Sequence, residues 1–280
     1  MKIYRPFAVV YFSVVLATQG ANPFGVFDFN LRGKDPAEQI HSLDGIGFDG
    51  ITMFIHQPKD LTRLEAFQAA KPDLRLCAGL YVVDYTKPEA FNRGHFNKVL
   101  KKLSSMDAKL WLILSGPKGN DPRIAALVGE LADLAAAQKV GISLYPHDSH
   151  TFETAEEALV ILKAANRPNL GISIHQCHEM RGGNADRLDA VMDAVAPYMD
   201  IATICGSDIK VNDNSKDWSD AIKPLGEGDY DPKAFLRALK RHNFKGPIIL
   251  HTFGLEKEAA SHYQTSFDLY QKMRAEVDAE

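Results

Sequence analysis

After Ala21 the chain repeats one pattern: a short run of β-branched and aromatic residues, then a longer stretch with apolar residues three and four apart. A strand that reaches the next strand through a helix lies parallel to it, so repetition of this unit builds a parallel sheet covered by helices. The β-rich runs are Gly25 to Phe29, Gly50 to Ile55, Leu74 to Tyr81, Lys109 to Ser115, Val140 to Tyr145, Leu170 to His175, Ile201 to Cys205 and Pro247 to His251. Helical spacing shows in Val99, Leu100 and Leu103, and again in Ile124, Leu127, Leu131 and Leu134. Asp121-Pro122 and Asp231-Pro232 read as helix starts, because proline costs nothing in a first turn whose N–H groups are unpaired anyway. Leu255 to Val277 reads as the helix that closes the ring. Eight such units without a Gly/Ser linker predict an α/β fold, a single (β/α)8 TIM barrel over residues 22–280 with parallel strands and outer helices. An open doubly wound sheet would carry a glycine-rich phosphate turn after its first strand, and Phe29-Asn30-Leu31-Arg32-Gly33 is not one.

The segment 1–21 differs from all that follows. Lys2 and Arg5 precede an uncharged run from Phe7 to Ala17, and small and polar residues follow at Thr18-Gln19-Gly20-Ala21. This is the pattern of a secretory signal peptide, and it predicts an exported protein, periplasmic or secreted. The apolar run is about eleven residues, short of the roughly twenty a helix needs to cross a bilayer, so no stable membrane anchor is expected. A buried first strand is the competing reading, weakened because Gly25 to Phe29 already supplies that strand. The three cysteines, Cys77, Cys177 and Cys205, are too few and too scattered for a disulfide framework and are expected reduced and buried. Thirty-two basic side chains against 36 acidic ones, a formal net charge of -4, leave no positive footprint for a phosphate backbone, which argues against nucleic acid as partner. Oligomeric state is left open, a homo-oligomer included.

In a barrel of this kind the active site gathers at the carboxyl ends of the strands. Five of the ten histidines, His56, His147, His175, His178 and His251, fall at or just past predicted strand ends. Neutral imidazole binds divalent metals and also serves as acid or base near neutral pH. His147, His175, His178 and His251 are therefore candidate ligands for a divalent ion, with zinc, manganese, cobalt and iron all compatible with nitrogen and oxygen donors. Asp28, Asp84 and Asp148 near strand ends read as turn or helix caps. Asp208 stands apart, because Gly206 allows a tight turn that aims its carboxylate inward. Lys210, at the start of a polar loop from Val211 to Ile222, is a candidate for stabilising an enolate oxygen, and the loop itself a candidate lid carrying Trp218. Phe54, His56, Tyr81, Tyr145 and Trp218 are candidate sugar contacts on the rim, along with Tyr85 and Phe253, although packing alone accounts for aromatic residues equally well.

Several segments together resemble the xylose isomerase-like barrel superfamily of sugar phosphate isomerases and epimerases. They are Gly45 to Gly50, Tyr145-Pro146-His147, the run Arg167-Pro168-Asn169-Leu170-Gly171-Ile172-Ser173-Ile174-His175-Gln176-Cys177-His178, and Leu225-Gly226-Glu227-Gly228-Asp229-Tyr230-Asp231. The resemblance implies metal-assisted removal of a proton beside a sugar carbonyl. It also implies Glu, Asp, His and Glu ligands on strands five to eight, positions held here by Tyr145, His175, Cys205 and His251, so none matches. His178 alone keeps the familiar residue. With both acid–base glutamates gone, His147 and His178 become the candidate catalytic groups, joined by Asp208 and Lys210. The expected partner is a small sugar or glycoside, and the expected activity isomerase or epimerase. The same enolate also permits elimination from a 3-keto-glycoside, and a non-catalytic carbohydrate-binding barrel is the rival of another class.

Overall fold

The computed structural model describes residues 22–31, 33–119, 121–212, 216–255 and 259–280; the expected signal peptide at 1–21 lies outside them. The strands are β1 (Phe24–Phe27), β2 (Gly50–Phe54), β3 (Leu76–Asp84), β4 (Lys109–Ser115), β5 (Ile142–Leu144), β6 (Leu170–His175), β7 (Met199–Ile204) and β8 (Ile248–Leu250). Each pairs in parallel with the next, and β8 returns to β1 through Phe24↔Ile248 and Val26↔Leu250, so the sheet closes into the predicted barrel. Around it lie α1 (Pro36–His41), α2 (Pro58–Ala70), α3 (Arg93–Ser105), α4 (Pro122–Ala136) and α5 (Ala155–Ala165). The second half adds α6 (Gln176–Arg181), α7 (Leu188–Val195), α8 (Pro232–Arg241) and α9 (Ala259–Ala279). None is long and apolar enough to cross a membrane.

Strands β4 and β6 coincide with the sequence reading, and others differ at their ends. β1 stops at Phe27, and Asp28 to Asn30 form a single 3-10 turn; β3 runs on to Asp84, three residues past the expected end. β5 holds only three residues, because Tyr145-Pro146 carries the chain out of the ladder where proline has no N–H to donate. Both proline-led helices begin as read. Asp121 accepts from the Arg123 N–H and Asp231 from the Lys233 N–H, caps worth about 1 kcal/mol each.

Strand alternation sorts side chains into two cores. Outward residues such as Leu110, Leu112 and Ile172 meet the helices, whereas Phe27, Ala78, Leu80, Trp111, Ile113, Tyr145, Ile201 and Ile249 fill the interior. Near the amino-terminal end of the barrel Asp200 is held by Lys109 at 2.7 Å and by the Ser143 hydroxyl at 2.5 Å. Gly171 is required beside it, since a Cβ there would lie 2.0 Å from the Asp200 carboxylate. Above this layer the rings of Phe27, Trp111, Tyr145 and His175 form a stacked ladder, with centroids 5.5, 4.6 and 3.8 Å apart in turn. The ladder is the floor on which the mouth of the barrel rests.

A candidate active site at the barrel mouth

A cavity of about 140 Å³ opens at the carboxyl ends of the strands. It is lined by His147 after β5, His178 in α6 and His251 after β8, with Phe29, Phe54, Tyr145, Trp218 and Phe253 as aromatic wall. These imidazoles arise from distant parts of the chain and converge: the His147 and His178 centroids are 4.4 Å apart, and those of His178 and His251 6.4 Å.

One residue sets the protonation of two of these rings. The Asp148 carbonyl lies 2.7 Å from His147 Nδ1, and a carbonyl only accepts, so Nδ1 donates and Nε2 keeps its lone pair. The Asp148 N–H donates to His178 Nδ1 at 3.2 Å, so in the neutral His178 ring the proton sits on Nε2. The turn that presents both groups is made at Ser149, whose φ of 62° lies in the left-handed region. Burial lowers every pKa in the group, because nothing nearby repays the lost hydration of a cation. His147 falls to about 4 against the raising effect of its bond to Asp148, His251 falls to about 3, and His178 falls well below its ordinary value. All three are neutral at physiological pH.

Cys177, His178 and His251 each offer one donor atom, and the three atoms lie within 4.8 Å of one another. His178 Nε2 and His251 Nδ1 are buried and find no partner among the described residues, a costly arrangement unless something else satisfies them. One sulfur and two imidazole nitrogens suit zinc or another borderline divalent ion better than magnesium, so the residues fit a metal. Binding would require the Cys177 thiol to lose its proton and the His178 ring to shift its proton from Nε2 to Nδ1, giving up the bond from the Asp148 N–H.

The structure revises the ligand set drawn from the sequence. His175 leaves it: the Ser173 hydroxyl donates to the Leu144 carbonyl and accepts from Trp111 Nε1 and from His175 Nε2, while the Thr203 hydroxyl donates to His175 Nδ1. Neither ring nitrogen has a lone pair to give, and the ring lies 3.8 Å from Tyr145 at an interplanar angle of 3°. His147 also stands outside the three-donor group, and Cys177 enters it. Cys177 escaped the sequence reading because α6 starts directly after β6, with no loop, so the alternation that pairs it with His175 ends at once. All three cysteines are buried and unpaired, as expected.

Other candidates are placed elsewhere. The Asp208 carboxylate turns to Lys223 at 3.1 Å, because Gly206 pairs with Lys223 in an isolated antiparallel bridge that directs the chain along that segment. Lys210 is exposed, and neither residue lines the cavity. His56 and Tyr81 line a different cavity, Tyr81 facing the helix layer against Phe96. Tyr145 and Trp218 do line the site, and Phe54 sits at its edge, 36% exposed. Trp218 stands edge-on to His178 at 5.1 Å and carries the Arg181 guanidinium 3.9 Å above its ring. Of the loop proposed as a lid, residues 213–215 lie outside the described residues. Asp84 caps its own turn through the Thr86 N–H, and Asp28 pairs with Arg63 across the rim.

Comparison with known proteins bears on this site. The family model described as xylose isomerase-like TIM barrel matches residues 40–273. A ketose 3-epimerase of Arthrobacter globiformis is 26% identical over 131 residues, which are 46% of this chain and 40% of that protein, so the match spans less than half of either. Among solved structures, a 3-keto-D-glucoside 4-epimerase from E. coli superposes with a TM-score of 0.71 at 13% identity, covering 90% of this chain and all of its own. A xylose isomerase domain protein from Planctomyces limnophilus gives 0.73 at 16% identity, over 92% of this chain and 99% of that one. At these identities the two structures speak for the fold.

Proposed function

The chain belongs to the xylose isomerase-like TIM-barrel family, and on that premise we propose that it is a sugar isomerase or epimerase that removes a proton from the carbon beside a ketose carbonyl. The observation that carries this reading is the bare Nε2 of His147 in an aromatic-walled cavity at the barrel mouth. His147 takes the proton as general base, and the electron pair of the broken C–H bond moves into an enolate. A ring whose pKa has dropped to about 4 is a weak base in an empty apolar pocket, yet the enolate formed in the same step is the counter-charge that the pocket lacks. His147 gives its proton up to solvent, and a solvent proton delivered to the opposite face of the same carbon gives the epimer; delivery to the former carbonyl carbon, with the neighbouring hydroxyl proton passing to the enolate oxygen, gives the isomer.

Phe54, Trp218 and Phe253 offer flat apolar surface to the sugar ring, and their apolar bulk displaces water from the reacting carbon. Cys177, His178 and His251 are the residues that would hold a divalent ion, which when bound supplies positive charge for the enolate oxygen. Elimination from a glycoside needs in addition an acid at the leaving oxygen, and Asp208 and Lys210, the other catalytic candidates of the sequence, do not line the cavity. The test is proton exchange with solvent. In D₂O with zinc, manganese, cobalt or iron(II) supplied, ketohexoses should lose their C3 or C1 proton signal and a second sugar should accumulate. No exchange with any ketose and any of these ions would overturn the proposal.

A further inference from the structure

A second cavity, about 410 Å³, lies on the β2 to β4 side of the mouth. Its inner wall continues strand faces of the first, and Tyr81, Val83 and His95 close it from the helix side. On β3 Leu80 lines the first cavity and Val82 the second, on β4 Ile113 and then Ser115, and past β2 Phe54 and then His56. Residues two apart on a strand point the same way and stand about 6–7 Å apart, so the second cavity sits one step above the first on three neighbouring segments. That step is roughly the advance from one sugar ring to the next.

The larger cavity is built for a ligand that is polar but uncharged. His95 is only 8% exposed, and its Nε2, together with Nδ1 of His56, is buried without a partner among the described residues. Tyr81 stands between the two imidazoles, its centroid 5.1 Å from His56 and 6.1 Å from His95, and Phe91 adds a second aromatic wall. Asp84 and Lys87, the charged residues of the lining, pair with each other at 3.1 Å and leave no net charge to bind a phosphate or carboxylate. Burial pushes the His56 pKa down, ahead of the opposing pull of Asp60.

We propose that this cavity is a subsite for the second, neutral sugar ring of a glycosylated ketose whose keto ring occupies the histidine cavity. The proposal rests on the ketose reading above for the identity of the first ring. It sets the substrate class as a disaccharide or larger glycoside in preference to a free monosaccharide.

The test measures binding apart from turnover. Calorimetric titration of the full chain with D-fructose and with the glucosyl-fructoses turanose, maltulose and isomaltulose should show at least one disaccharide binding about tenfold or more tighter than fructose. Ser115→Phe and, at an exposed position on the same lining, Ala90→Trp each fill the cavity and should erase that advantage. Equal or weaker binding of every disaccharide overturns the subsite, as does an advantage that survives in a folded Ala90→Trp. An advantage that is lost on filling, with no solvent exchange from any of the sugars, supports the subsite and overturns only the reaction.

Discussion

Two arcs of the same rim use the same residue type to different ends. On the β5 to β8 arc His147, His178 and His251 converge on one cavity, two of them within reach of Cys177. On the β2 to β4 arc His56 and His95 stand on either side of Tyr81, and among the described residues they belong to no three-donor group. The difference lies in how the strands end. β5 stops after three residues at Leu144 and β6 passes without a loop into α6, so the chain folds back over the mouth and its side chains point in. β3 continues for nine residues to Asp84, and alternation sends Tyr81 outward to the helices.

The largest effect is expected from removing the base proposed on the β5 to β8 arc. His147→Gln keeps a side chain that can donate to the Asp148 carbonyl but presents no basic lone pair to the cavity. Solvent exchange into a ketose should fall by about 10²–10⁴-fold, the usual contribution of a general base, while sugar affinity by titration changes little. Exchange at the wild-type rate would remove His147 from catalysis and leave the two arcs chemically alike.

Next in size is the metal. Cys177→Ser replaces the soft donor, and zinc affinity by competition with a chromogenic chelator should drop at least about 100-fold, beyond the 10–100-fold typical of an outer-shell change. In the wild type, affinity should fall as pH falls, because the thiol of Cys177 gives up its proton on binding. Unchanged affinity in Cys177→Ser would place any ion elsewhere and deprive the β5 to β8 arc of what sets it apart.

How much of this was legible beforehand divides along the same line. The barrel was, because alternation and periodicity are local and the closing of eight βα units follows from them. The gathering of histidines at strand ends was legible too, since it needed only the strand positions. The ligand set was not. His175 resembles a site residue until Ser173, two places earlier on the same face, and Thr203 on the neighbouring strand occupy both its nitrogens. Nothing in the spacing announces those hydroxyls. Cys177 and the Asp148 peptide were invisible for the converse reason: a helix that starts without a loop and a turn at positive φ are decided by backbone geometry, and the residue names alone do not encode it. Asp208 failed because the glycine that frees its turn also lets the chain pair with Lys223.

The neutral state of the histidine arc has a thermodynamic signature. In the unfolded chain these rings titrate near 6.5; in the metal-free fold His147 and His251 hold out to about 4 and about 3. Between those values the unfolded state binds more protons, so stability is complete above pH 6.5 and is lost as pH falls toward the folded pKa. Each ring contributes up to about 1.4 kcal/mol of loss per pH unit in that window. Urea unfolding in chelator from pH 7 to 4.5 should therefore show a shallower acid slope for His147→Gln than for the wild type. Equal slopes would mean that His147 is solvated in the fold, and the claim that burial readies it as a neutral base would go with them.

The smallest expected effect concerns the groups the structure sets apart from the mouth. Asp208 and Lys223 are both partly exposed, and an ion pair of that kind contributes about 0.2–1 kcal/mol, screened by salt. Asp208→Asn should lower stability by no more than that and, like Lys210→Ala, leave ketose exchange within about twofold of wild type, since neither side chain lines the cavity. A loss of about tenfold or more in either variant would mean that the Val211 to Ile222 loop brings these residues over the mouth when sugar binds. The inward carboxylate expected from Gly206 would then belong to the liganded state, and the rim would have a third working arc.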